Sequence, residues 1–267
     1  MTVFTATGAP IRRIRSIGRA ELLLFWRNRT ALFNALLLPV VTIGAVSLAN
    51  VGEGGGLTSN AALEAGLLGF VLLSVIYYNL VSTYVARREE LVLKRLRVGE
   101  ITDAEILGGT ASPAVVIAIT QILLFVAAGA VFLGLPVPVN LPVLALGALG
   151  GAGVFVVLAA ASSAFTRTVE MAQITTLPVL FACFFGSGMV LPLDALPAPL
   201  ANVLRLLPLT PPMDLMRLGW LGTADTGAPK DFVGVLEAAI LPTVTLAVWA
   251  AIGVVAVARW FRWEPRR

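Results

Sequence analysis

Six runs of about twenty mainly apolar residues, at about 31–49, 61–85, 112–135, 141–165, 172–192 and 232–258, leave this chain few folds to choose from. A helix that crosses the roughly 30 Å hydrocarbon layer of a bilayer needs about 20 such residues. Inside that layer a helix satisfies every backbone donor and acceptor internally. The expected fold is therefore an all-α integral membrane protein with six transmembrane helices. Composition agrees, with 13% charged residues against about 25% in an ordinary soluble domain. Six spans in 267 residues leave little chain for a soluble domain, so 1–267 is expected to form a single membrane domain. The opening "MTVFTATGAPIRRIRSIGRAELLLFWRNR" spreads its charges and shows no small-residue cleavage site after a short apolar core. The first span is expected to be retained.

Charge then sets orientation, because cytoplasmic segments near membrane spans carry the excess of Lys and Arg. Sixteen of the nineteen basic residues fall on one side of the six-span scheme: Arg12, Arg13, Arg15, Arg19, Arg27, Arg29, Arg87, Arg88, Lys94, Arg95, Arg97, Arg167, Arg259, Arg262, Arg266 and Arg267. Arg205, Arg217 and Lys230 fall on the other. Both termini are expected in the cytoplasm, and the net charge of +4 reflects attraction to the inner membrane face rather than to nucleic acid.

Several chemistries are excluded. The chain has no histidine, which removes the usual general base, Ser-His triads and the commonest metal ligand. A single cysteine, Cys183, allows neither an internal disulfide nor a thiolate metal cluster, and reads as a small apolar filler. "GEGGGLTSN" near Gly52 is glycine-rich, but no Lys follows it and no strand precedes it; it reads as a loop, not a phosphate cradle.

Between the second and third runs lies "RREELVLKRLRVGEITDAEILGGTASPAVV", with ten charged residues in its first twenty positions. Arg87–Arg97 reads as a short amphipathic helix with Glu90 and Lys94 at i,i+4. Thr102 and Glu105 form a capping box that opens a short turn through Ile106 and Leu107. Ser112-Pro113 reads as the N-cap and first turn of the third span. Near the N-terminus, in 10–29, Ile11, Ile14, Gly18, Leu22 and Phe25 share one helical face and arginines the other, the pattern of an interfacial helix. A solvated juxtamembrane tail is the alternative. At 193–231, Pro197 and Pro199 open one short helix, Ala198 to Leu207, and Pro211 and Pro212 another through Trp220. Such half-helices fit a re-entrant or interfacial cap on the extracytoplasmic face.

Three stretches together resemble the ABC-2-type transporter permeases, six-helix membrane subunits that work with a separate ATPase. "FWRNRTALFNALLLP" resembles their approach to the first span, "REELVLKRLRVGEITDAEILGG" the coupling segment after the second, and "FGSGMVLPLDALPAPLANVLRLLPLTPPMDLMR" the signature after the fifth. Val98-Gly99 stands where such permeases often carry Thr-Pro, and Arg29-Thr30 where proline is common. The resemblance implies an exporter, drug-resistance-transporter-like, in a bacterial cytoplasmic membrane. Its partners would be an ABC ATPase and a second permease chain, with no cofactor on this chain and with ATP and Mg on the ATPase. It also implies that 87–109 docks on that ATPase, through Glu89, Glu90, Lys94, Arg95 and Arg97 with Leu93 and Leu96 as apolar anchors. The alternative is a charged loop that only fixes topology.

No charged residue lies near the middle of any expected span, which disfavours ion-coupled transport through buried carboxylates and favours an apolar or amphipathic substrate. Asn79, Thr83, Gln121, Thr175 and Thr176 are candidates to line a substrate path; interhelical hydrogen bonding is the competing role. A secondary transporter or channel-like protein, and a lipid-modifying membrane enzyme, stand as alternatives from other classes.

Overall fold

The computed structural model describes residues 66–92, 102–132, 134–189, 193, 196–224, 227–261 and 263. The first expected span, the interfacial helix at 10–29 and the residues Leu93, Lys94, Arg95, Leu96 and Arg97 lie outside them. All regular structure among the described residues is helical. Five helices are long and apolar enough to cross a membrane: α1 (Gly66–Glu89), α2 (Asp103–Phe132), α3 (Leu141–Ser163), α4 (Val169–Gly186) and α8 (Ile240–Trp260). Between α4 and α8 come α5 (Ala198–Leu204), α6 (Thr210–Leu221) and α7 (Phe232–Ala238). The second to sixth expected spans thus each have a helix.

Helix ends follow local chemistry. Asn140 caps α3 by accepting a bond from the Val143 N–H at 3.2 Å, with Pro142 in the first turn. Thr168 caps α4 through the Met171 N–H, which sets its start a few residues before the expected 172. The last expected span is broken at Ala239. Asp231 caps α7 through the Gly234 N–H at 2.9 Å, and Glu237 is exposed on that short helix.

The third span departs most from expectation. Ser112-Pro113 does not open it; Pro113 lies inside one continuous 30-residue helix that starts at Asp103. A proline in a helix removes the bond to the carbonyl four residues back and crowds it. Here that carbonyl belongs to Gly109, and the Ser112 hydroxyl donates to it at 2.8 Å. The adjacent serine thus satisfies the acceptor that the proline vacates.

α1 and α3 form the centre of the bundle, while α4 and α8 leave most of their surface uncovered. The closest packing joins α6 to α3. A Cβ on Gly147 would meet the Met216 nitrogen at 2.8 Å, one on Gly151 would meet Pro212 Cβ at 2.7 Å, and one on Gly219 would collide with the Leu144 backbone. These pairs run in opposite order, so α6 lies antiparallel along the first half of α3. At 1.5 Å per residue, the stretch from Asn140 to Gly151 is roughly 16 Å, about half the hydrocarbon thickness. Apolar side chains gain nothing from leaving lipid for protein, so helices associate in membranes by close van der Waals contact and hydrogen bonds. Both are present: the Asn140 N–H donates to the Gly219 carbonyl at 2.8 Å and the Trp220 indole N–H to the Pro136 carbonyl at 2.9 Å. The buried Thr210 at the inner end of α6 donates to the Leu204 carbonyl at 2.9 Å.

Candidate functional site: the polar end of the bundle

The C-terminal ends of α1, α3 and α8 and the N-terminal end of α2 gather at one end of the molecule. The Tyr84 hydroxyl donates to the Leu107 carbonyl of α2 at 3.0 Å, and the Tyr84 ring meets Phe261 just beyond α8 edge-on. Phe165, after α3, packs 5.9 Å from Trp260. Arg87, Arg88, Arg167 and Arg259 are therefore at this end, whereas Arg205, Arg217 and Lys230 belong to the segment around α5–α7.

The connection between α1 and α2 departs at Glu90 and re-enters at Thr102, both at this end. Glu90 closes α1, and its N–H still bonds the Ala86 carbonyl at 3.0 Å. Leu91 then has a φ of 60°, the left-handed region that a branched side chain rarely occupies. Arg87–Glu89 are therefore the last turn of α1, a correction to the expected amphipathic helix, which at its start belongs to the membrane span. At the other side, the Thr102 N–H and hydroxyl both donate to Glu105 Oε2 at 2.7 Å, and the Glu105 N–H donates back to Thr102 Oγ1 at 3.4 Å. The expected capping box is present, but it opens α2 itself rather than a separate turn.

Of the expected docking residues, Glu89 and Glu90 are exposed. The five path candidates fall in three places. Asn79, exposed, and Thr83, half-buried, lie one turn apart on α1, with the Thr83 hydroxyl donating to the Asn79 carbonyl at 2.8 Å. A π-helical stretch, Leu72–Tyr78, immediately precedes them. Gln121 is buried in α2. Thr175 Oγ1 shares a 2.8 Å hydrogen bond with Thr166 Oγ1, and Thr176, fully buried, donates to the Ala172 carbonyl of its own helix at 2.8 Å.

Arg88 is the residue that sequence reasoning missed. Counted among loop charges, it is only 1% exposed, and its guanidinium lies against the end of α3. Nη1 donates to the Ser163 carbonyl at 2.9 Å and Nη2 to the Thr166 carbonyl. Carbonyls at a helix C-terminus lack intrahelical donors and carry partial negative charge, which a cation complements. The signal was in the spacing: Leu80, Tyr84 and Arg88 recur every four residues on the buried face of α1. Nearby, Tyr77 Oη and Ser162 Oγ share a 3.0 Å hydrogen bond. The Thr166 hydroxyl also reaches the Ser162 carbonyl at 3.1 Å.

Five membrane-length helices, with a short helix packed against half the length of one of them, define a polytopic all-α membrane protein. The family model described as ABC-2 type transporter matches residues 12–220, most of the chain, and this protein belongs to that family of ABC transporter permeases. No curated protein matches it.

Proposed function

We propose that this chain is the membrane-spanning permease of an ATP-driven exporter. It moves an apolar or amphipathic substrate, drug-, antibiotic- or lipid-like, out of a bacterial cell across the cytoplasmic membrane. Two such permease chains, identical or different, work with separate ATPase subunits that bind the ATP and Mg, and this chain holds no cofactor of its own. Both termini are cytoplasmic, α5 and α6 form an extracytoplasmic re-entrant cap, and residues 87–109 dock on the ATPase.

The observation that carries the reading is the unbroken course of α2. Thirty residues rise roughly 45 Å, so about ten of them extend beyond a 30 Å hydrocarbon layer. A push at the N-terminal end of α2 therefore enters a long continuous helix whose first turn is sealed by the Thr102–Glu105 box. On α1, the exposed Asn79 and its neighbour Thr83 are the polar groups we assign to the path, since an exposed amide at membrane depth favours a wet or protein-lined surface over lipid.

Charge reversal tests the docking segment. Replacing Glu90→Lys and Arg95→Glu together removes pairings that cost about 2–5 kcal/mol when one desolvated partner is lost. Adding Leu93→Ala and Leu96→Ala removes about 2 kcal/mol or more of packing each, if buried in the complex. Membrane abundance should stay normal while ATPase co-purification and export fall together. Normal export at normal abundance would leave the segment as a determinant of topology only.

A further inference from the structure

Arg88 joins the C-terminal end of α1 to a third element, the turn between α3 and α4. Only two residues separate it from Leu91, whose left-handed backbone follows the end of α1, and the Leu91 N–H bonds the Arg88 carbonyl at 3.1 Å. Its side chain points the other way, into the turn between α3 and α4, and holds the Ser163 and Thr166 carbonyls together. Thr166 in turn reaches Thr175, on the second turn of α4, through its hydroxyl at 2.8 Å. A continuous hydrogen-bonded route thus runs from the C-terminal end of α1 to α4.

We propose that Arg88 is a positioning residue that carries movement of the C-terminal end of α1 into the α3–α4 turn, so that α3 and α4 shift with α1 in each transport cycle. The inference rests on the reading that residues 87–109 dock on an ATPase. A guanidinium suits the task because its planar fork holds two acceptors in fixed relation, which the single ammonium of lysine does not. Burial adds stiffness, since a cation without water around it gives up its carbonyl partners only at high cost. The Thr166–Thr175 bond marks where movement passes from the turn to α4.

The test uses the permease with its ATPase in nanodiscs. Cys183 is replaced by Ser, and a spin label is placed at the exposed Arg167→Cys on the turn, paired with one on the ATPase. Four chains are compared: the otherwise unaltered one, Arg88→Lys, Arg88→Gln and Thr175→Val. In the unaltered chain the label should shift between nucleotide-free and ATP-bound states. Arg88→Lys keeps the charge and should keep abundance and ATPase binding. Its label shift should shrink, and substrate moved per ATP should drop about tenfold, the factor matching one lost charge-assisted hydrogen bond. Arg88→Gln should be worse, and Thr175→Val should lower transport while leaving the label shift intact. Should the ATPase fail to bind the unaltered chain, the docking reading falls and this inference with it. If the ATPase binds and the label shifts equally in the Arg88→Lys chain, the role of Arg88 alone is refuted. Transport and hydrolysis falling in strict proportion would equally refute it, because that is the mark of lost folded protein rather than lost coupling.

Discussion

Replacing Gly219 by alanine tests the half-depth packing of α6 at its tightest point. The new Cβ would collide with the Leu144 nitrogen and stand 2.7 Å from Leu144 Cα and 2.8 Å from its Cβ. Two of these three atoms are backbone, so no rotamer change relieves the clash, and α6 must move off α3. Overpacking of this kind costs about 1–3 kcal/mol. The displacement also stretches the Asn140 N–H to Gly219 carbonyl bond and the Trp220 to Pro136 bond, each worth about 0.5–1.5 kcal/mol. The expected loss is about 3 kcal/mol. Gly153→Ala is the matched control: it lies on the same α3, nothing stands within 4 Å of its added Cβ, and alanine favours a helix by about 1 kcal/mol. Reversible unfolding in mixed micelles, followed by tryptophan fluorescence, measures both. The two substitutions should move stability in opposite directions. Equal stabilities, or a stable Gly219→Ala chain, would refute the packing of α6 against α3.

Two further outcomes concern the path of the chain. Ser112→Ala should destabilise α2 by about 1 kcal/mol by stranding the Gly109 carbonyl, and Ser112→Ala with Pro113→Ala should recover the loss because residue 113 regains an N–H for the same acceptor; hydrogen exchange of the α2 amides reads this. A single cysteine at Thr223, with Cys183 replaced, should react with a membrane-impermeant reagent from outside the cell, and reaction only from the cytoplasmic side would overturn the orientation.

Element existence was legible where one physical constraint dominated. Apolar length located five of the helices, and prolines at a first turn located α5 and α6, because a residue without an N–H is cheapest there. The same reasoning misplaced the start of α2: the Ser112 hydroxyl supplies locally what Pro113 removes, and no rule for helix starts distinguishes that from a cap. The break at Ala239 was hidden within a run that is apolar on both sides. How deeply α6 sits was not legible, because it depends on glycines Gly147, Gly151 and Gly219 meeting across two helices far apart in sequence. Nor was the facing of Asn79, since the π-helical turns at Leu72–Tyr78 change the phase of α1 just before it. Arg88 was masked by its neighbours: in a run of charges one buried arginine looks like the rest, and only the four-residue recurrence with Leu80 and Tyr84 separates it. At the site, the capping box was read correctly from Thr102 and Glu105 because its chemistry is complete within four residues.

The energy source for transport is the property to measure. The chain is reconstituted into proteoliposomes with its partner ABC ATPase, and uptake of a fluorescent amphipathic substrate is followed with ATP and Mg, with ATP alone, and with an imposed proton gradient in their absence. Uptake only with ATP and Mg, abolished by a hydrolysis-defective ATPase and absent when either subunit is omitted, is the predicted result. Uptake driven by the proton gradient in vesicles holding this chain alone would contradict it.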